Sequence, residues 1–182
     1  MRLFGHLKTI TRHHNEVFRL CRRAGISWRG FWHDFSKLSP TQFFMSVRYY
    51  SDGSHSPTVE ERKERGVSAV WMHHKGRNRH HFEYWTDYQS GRGLVPVQMP
   101  PVFFCEMVCD RIAASKIYHK EAYTDRTALE YYEAQKHKYF IHPDTAAHLE
   151  YVFQLLAERG EDALFEYLRV YVKSGKRGGR GC

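Results

Sequence analysis

The sequence predicts an all-α fold, and three observations carry that expectation. Apolar residues recur at helical spacing through most of the chain, capping signatures mark where successive segments begin, and no alternating run of β-branched residues exceeds four. Residues 3 to 24 place Leu3, Leu7, Ile10, Val17 and Cys21 on one amphipathic stripe, with Gly25 positioned to end the helix. The stripe passes through His14 with His13 beside it, so at least one of the two points inward. The next segment, SWRGFWHDFSKL, spaces Trp28, Phe31, Phe35 and Leu38 helically. Ser39, Pro40 and Gln42 then supply an N-cap, a first-turn proline and a capping-box partner for a third helix, PTQFFMSVRYY.

SDGSHSP reads as a loop, and Thr58 with Glu61 as a second capping box. Val67, Val70, Trp71 and His74 again put a histidine on the apolar face of a helix, which Gly76 and Asn78 interrupt. HHFEYWTDY opens a new segment, SGRGLVPVQMPP reads as a loop, and helix resumes from Val102 to about Lys120. Thr127 with Glu130, and then Pro143, mark two later starts, and Gly160 separates HLEYVFQLLAERG from EDALFEYLRVYV. There is no internal repeat. Residues 1–172 are expected to form one domain, and residues 173–182, basic and glycine-rich without apolar period, a flexible tail.

Composition narrows the function classes. The chain has 182 residues, 42% hydrophobic and 26% charged, which is ample for a core and argues against wholesale disorder. No apolar run approaches a spanning helix and the N-terminus does not read as a secretory signal, so a cytoplasmic protein without a membrane partner is expected. The four cysteines form no CxxC pair, which indicates neither a zinc ribbon nor a disulfide framework. The net charge of +8 admits a polyanionic partner, although about half of the excess sits in the tail. Histidine is the sharper anomaly: 13 residues, including the doublets His13-His14, His73-His74 and His80-His81. That composition asks for metal or proton chemistry.

Candidate ligands follow one another along the chain: His13 or His14, His33-Asp34, His73 or His74, His80 or His81, and Asp110. Neutral imidazoles and ionised carboxylates suit a divalent transition metal such as iron, manganese or zinc, and ligands from several helices can meet in a shared cavity. Lys37, Lys75, Arg77 and Arg79 offer charge-assisted contacts to phosphate, or else form a solvated basic face. Asn78 and Glu83 are candidates to orient ligands or water, with a helix cap and a surface acid as their plainer readings. Trp71, Phe82, Tyr84 and Trp85 read as core or pocket wall.

The order of these residues resembles the HD superfamily of metal-dependent phosphohydrolases, in which a histidine is followed by a His-Asp pair and then by an aspartate on a later helix. HDFSK is similar to the family's HD-plus-lysine motif, His13 with Val17 fits its first helix, and Asp110 with Ala113 and Ala114 fits its closing helix. HDFSKLSPTQF, WMHHKGRNRHHFEYW and DRIAASK together also resemble an uncharacterised bacterial family, a domain of unknown function. The HD resemblance implies a helical bundle with His13, His33, Asp34 and Asp110 as metal ligands, and by analogy with two-metal members it implies His74 and His81 at a second ion. The metal count is therefore one or two. It also implies hydrolysis of a nucleotide or small phosphate ester, with Asp34, Lys37, Lys75 and Arg77 as the catalytic and substrate-contacting groups. The alternatives are a di-iron HD-type oxygenase, a nucleic-acid-binding protein or His-Asn-His nuclease built on HHKGRNRHH, and a metal-binding module without turnover.

Overall fold

The computed structural model describes residues 2–51 and 53–178, with side chains to residue 175. Among these residues the chain forms eight α-helices and one two-stranded hairpin, an all-α architecture. Helix α1 (Arg2–Arg23) ends at Gly25 in the left-handed region (φ 77°), as expected. Its buried face is His6, His13, Val17, Leu20 and Cys21, whereas Leu3 and Leu7 are exposed. The face is thus rotated toward His13, because α1 lies along α6 (Pro101–His119), whose Phe104, Val108 and Ile112 are in the same core.

Helix α2 (Ser27–Trp32) packs closely on α1: a Cβ on Gly30 would stand 2.5 Å from Cβ of Cys21. The helical run expected through Leu38 breaks at His33. Asp34 has φ 56°, a conformation Asp tolerates better than most residues, and Phe35–Leu38 continue as a 3₁₀ turn. The break turns His33 and Asp34 inward and leaves Trp28, Phe31, Trp32 and Phe35 exposed as a cluster of rings, Trp28 stacked on Phe31 and Trp32 edge-on to Phe31.

Helix α3 (Pro40–Tyr49) starts as expected, with the Ser39 side chain accepting from the Gln42 backbone N–H. Helix α4 (Pro57–Arg65) is capped by Ser56 instead of Thr58. Glu61 does not close a capping box there. It is buried, accepting 2.6 Å from the Ser68 hydroxyl and 3.1 Å from Val70 N–H, and so ties α4 to the start of α5 (Ala69–Lys75). The stretch read as a loop after Tyr88 contributes to a hairpin, β1 (Thr86–Gln89) against β2 (Gly93–Pro96), with Thr86 opposite Pro96 and Gln89 opposite Gly93. Strands of four residues are too short to show a period; their one signal is the glycine pair, Gly91 and Gly93, both at positive φ.

Helix α7 (Thr127–Gln135) and the long α8 (Pro143–Gly178) complete the fold. Gly160 (φ 76°, ψ 178°) divides α8 into two arms, which bury Leu149, Val152 and Leu156 on one side of the bend and Leu164, Phe165 and Leu168 on the other. Residues 173–178, expected as tail, continue the helix. Gly175 abuts Pro101 so closely that a Cβ would lie 2.5 Å from Pro101 Cγ. Residues 179–182 of the expected tail lie outside the described residues. Among the described residues no helix is long and apolar enough to cross a membrane.

Candidate metal centre

Four parts of the chain converge beneath α1. The α1 helix presents His13, the break after α2 presents His33 and Asp34, α5 and the turn after it present His74, His80 and His81, and α6 presents Glu106 and Asp110. Among the described residues, three groups of donor atoms lie within 4.8 Å of one another: Asp34, His74, His80 and His81; His13, His33, Asp34 and Asp110; and His33, His80 and Glu106. All six ligands expected from the sequence, His13, His33, Asp34, His74, His81 and Asp110, are brought together. The doublets resolve differently. His14 turns away to meet the His33 carbonyl through Nδ1 at 3.1 Å, His73 lies 3.2 Å from Gln42 Oε1, and both His80 and His81 face the cluster. The resemblance assigns only His81 of this pair to a second ion, whereas His80 joins the cluster beside it.

Asp34 belongs to two of the groups. Its Oδ1 lies 3.3 Å from His74 Nε2 and 3.4 Å from His80 Nε2, and its Oδ2 lies 3.2 Å from His33 Nε2. Asp110 Oδ1 stands 2.9 Å from His13 Nε2 and 3.5 Å from His33 Nε2. Despite these short separations, Nε2 of His13, His33, His80 and His81 and both carboxylate oxygens of Asp34 are buried without hydrogen-bond geometry to a partner. Lone pairs so crowded and yet unaligned are what a shared cation satisfies, since buried polar atoms are otherwise paired. Lys37 adds a positive charge, with Nζ 2.6 Å from Asp34 Oδ2.

Glu106 belongs to the third group but faces the other ring nitrogens. Its Oε1 lies 3.1 Å from His33 Nδ1 and 3.3 Å from His80 Nδ1, while Arg29 holds Oε2 at 2.6 Å. Accepting both Nδ1–H groups leaves both Nε2 lone pairs aimed at the cluster, which makes Glu106 an orienting carboxylate. Its position was readable in principle, because it precedes Asp110 by one helical turn on α6. Gln42, whose spacing from Ser39 predicts only a capping partner, also brings its amide to Nδ1 of His74 at 2.9 Å. Asn78 stands 3.0 Å from the same nitrogen and donates to the His74 carbonyl and the Ser36 hydroxyl, both at 2.8 Å. It therefore ties the turn after α5 to the 3₁₀ turn that follows Asp34.

The electrostatics match this geometry. Burial would raise the Asp34 carboxyl, but His33, His74, Lys37 and His80 outweigh it and hold it well below the usual range. Asp110 is depressed likewise, against burial, by His13 and His33. Burial lowers His13 and His81, and it takes His74 to about 3, so these imidazoles are neutral bases at neutral pH. His33 is the exception: burial opposes charge, but Asp34, Asp110 and Glu106 raise it well above its ordinary value.

A cavity of about 690 Å³ opens on His13, His74, His81 and Asp110, and Lys37, Arg62, Arg111 and Lys138 reach its wall. Lys75 and Arg77, expected to meet substrate, do not line it. Asn78 and His80 take the inner side of their turn, and Arg77 is exposed, donating to the His73 carbonyl. Arg79 is also outside, over the rings of Tyr84 and Phe103. Glu83 lies on the cavity wall with its carboxyl raised by burial, and Trp71 lines the same wall, whereas Phe82 belongs to the core.

Fold and site together define a helical protein whose core holds a candidate metal centre of imidazoles and carboxylates. Residues 2–155 match the family of unknown function DUF5662, and the chain belongs to that family. No curated protein and no solved structure matches it.

Proposed function

We propose that the protein is a metal-dependent phosphohydrolase of the HD type that acts on a nucleotide or another small phosphate ester. The observation that carries this reading is the pair of four-residue groups sharing Asp34 at the foot of a cation-lined cavity. In this reading His13, His33, Asp34 and Asp110 hold one divalent transition ion, and Asp34, His74, His80 and His81 a second. Such ions, when bound, lower the pKa of a coordinated water and stabilise negative charge on phosphoryl oxygens.

The chain's own groups bind and orient the ester. Lys37, beside Asp34 and on the cavity wall, donates to a phosphoryl oxygen. Arg62, Arg111 and Lys138 line the cavity with no carboxylate oxygen within 4.0 Å among the described residues, so they are available to an anion. Arg62 lies over the Trp71 ring and Arg111 beside the adjoining rings of Phe82 and Tyr139, which restricts their guanidinium groups. The nuclease alternative loses support, because the hairpin such a motif needs before its helix comes after it here.

The test is elemental analysis of protein purified without added metal, followed by phosphate release from a panel of nucleotides and small esters. Two ions per chain and turnover are expected, with Asp34→Asn lowering both metal content and turnover, the latter at least a hundredfold. A fully loaded protein that releases phosphate from no ester overturns the proposal. The nitrogen-rich donor set also favours a di-iron oxygenase, which dioxygen consumption by the iron-loaded protein would reveal.

A further inference from the structure

Two helical turns before His13, the same face of α1 presents a second buried imidazole at the cavity. His6 is 5% exposed, and neither ring nitrogen has a hydrogen-bond partner among the described residues. Seven residues of helix put it ~10 Å along the axis from His13. It is therefore too remote to join the ligand groups, none of which includes it. Phe43 and Tyr50 flank its ring, with centroids 5.5 and 5.3 Å away. A polar ring hidden from bulk water with both nitrogens unpaired is unfavourable unless something entering the cavity supplies the partners.

The surrounding wall is rich in hydroxyls. Thr9, Ser46, Tyr50, Ser56 and Tyr118 line the cavity from α1, α3, the α4 cap and α6. Thr9 Oγ1 lies 3.2 Å from the Tyr50 hydroxyl. The Tyr50 ring is confined between two glycines: a Cβ at Gly5 would approach its Cε1 to 2.9 Å, and a Cβ at Gly53 would approach its hydroxyl to 2.8 Å. The wall is thus held in place before any ligand arrives. Burial and the nearby Lys37 charge keep His6 neutral, at about 4. A neutral imidazole offers one donor and one acceptor, and hydroxyl side chains offer both. That set complements groups that also donate and accept at once, as alcohols do. It offers little to a second phosphate.

We infer that the His6 end of the cavity binds a neutral, hydroxyl-bearing part of the substrate, so that the substrate is the phosphate ester of a sugar or similar polyol. The inference rests on the phosphohydrolase reading for its phosphate, and on His6 and the hydroxyl wall for its alcohol.

Calorimetric binding of ribose 5-phosphate and propyl phosphate to the metal-loaded protein separates the two. The pair shares the phosphate and differs in the hydroxyls. The wild type is expected to bind ribose 5-phosphate at least tenfold more tightly, His6→Phe to lose that preference with propyl phosphate binding and metal content unchanged, and His6→Gln, which keeps a donor and an acceptor, to regain part of it. Equal binding of the two esters by the wild type, or a preference that survives in His6→Phe, overturns the inference. Preferential binding without hydrolysis would keep the hydroxyl site and sink the phosphohydrolase reading instead.

Discussion

Glu106 accepts from two imidazoles with one oxygen and holds an arginine with the other. Contrary to what burial does, the His33 and His80 contacts bring its carboxyl down to about 2, so it is ionised wherever the protein is folded near neutrality. Glu106→Gln can no longer present an acceptor to both rings while facing Arg29. Metal affinity, measured by competition with a chelator, should fall about 10–100-fold although no ligand is removed. An unchanged affinity would show that His33 and His80 are held by packing alone. The candidate ligands were legible in the sequence because His13, His33-Asp34, His74, His81 and Asp110 have the residue types and order of a metal site. Glu106 and Gln42 were not, since a glutamate in a helix and a glutamine after a cap become orienting groups only through what the tertiary fold sets beside them.

At the scale of the element, the centre depends on how closely α2 lies on α1. Gly30 makes that approach possible: a side chain there meets Cβ of Cys21 at 2.5 Å and the Phe18 backbone at 3.2 Å. Gly30→Ala should therefore destabilise the fold by about 1–3 kcal/mol, seen as a lower denaturation midpoint. It should also weaken metal binding by displacing His33, three residues further on. A midpoint equal to the wild type would mean that the two helices separate at no cost. Helix spacing revealed α2 but not its end, because the aromatic period Trp28, Phe31, Phe35 runs on through His33 and Asp34 while the chain does not. The hairpin was missed for a related reason: its four-residue strands alternate too briefly to be distinguished from loop.

Across the whole molecule, buried histidines set the response to acid. His6 at about 4 and His74 at about 3 are depressed by burial, so the unfolded chain, with ordinary imidazoles near 6.5, takes up protons before the folded protein does. Their contribution is fully present above about pH 6.5 and is lost as pH falls through the window toward 4 and then 3. His13 and His81 act in the same direction, whereas His33, raised, opposes them. The chelated protein should therefore melt at lower temperature at pH 5 than at pH 7, His6 and His74 each withdrawing roughly 1–2 kcal/mol of stability. Equal or higher melting at pH 5 would show that His33 dominates. Chelation at pH 7 should itself lower the melting temperature, since an ion that binds only the folded state adds stability by mass action.

The long stretch of chain between the first and last members of the centre has a consequence for how the protein matures. During synthesis Asp34, His74, His80 and His81 emerge well before α6, so the group they form comes within reach while Asp110 is still missing. The group completed by His13 and Asp110 must wait for α6 to dock against α1, the slower, long-range closure. Glu106 arrives with that same helix and orients a histidine in each group, so both reach their final form in one step. Completion of both candidate groups therefore coincides with the docking of α6.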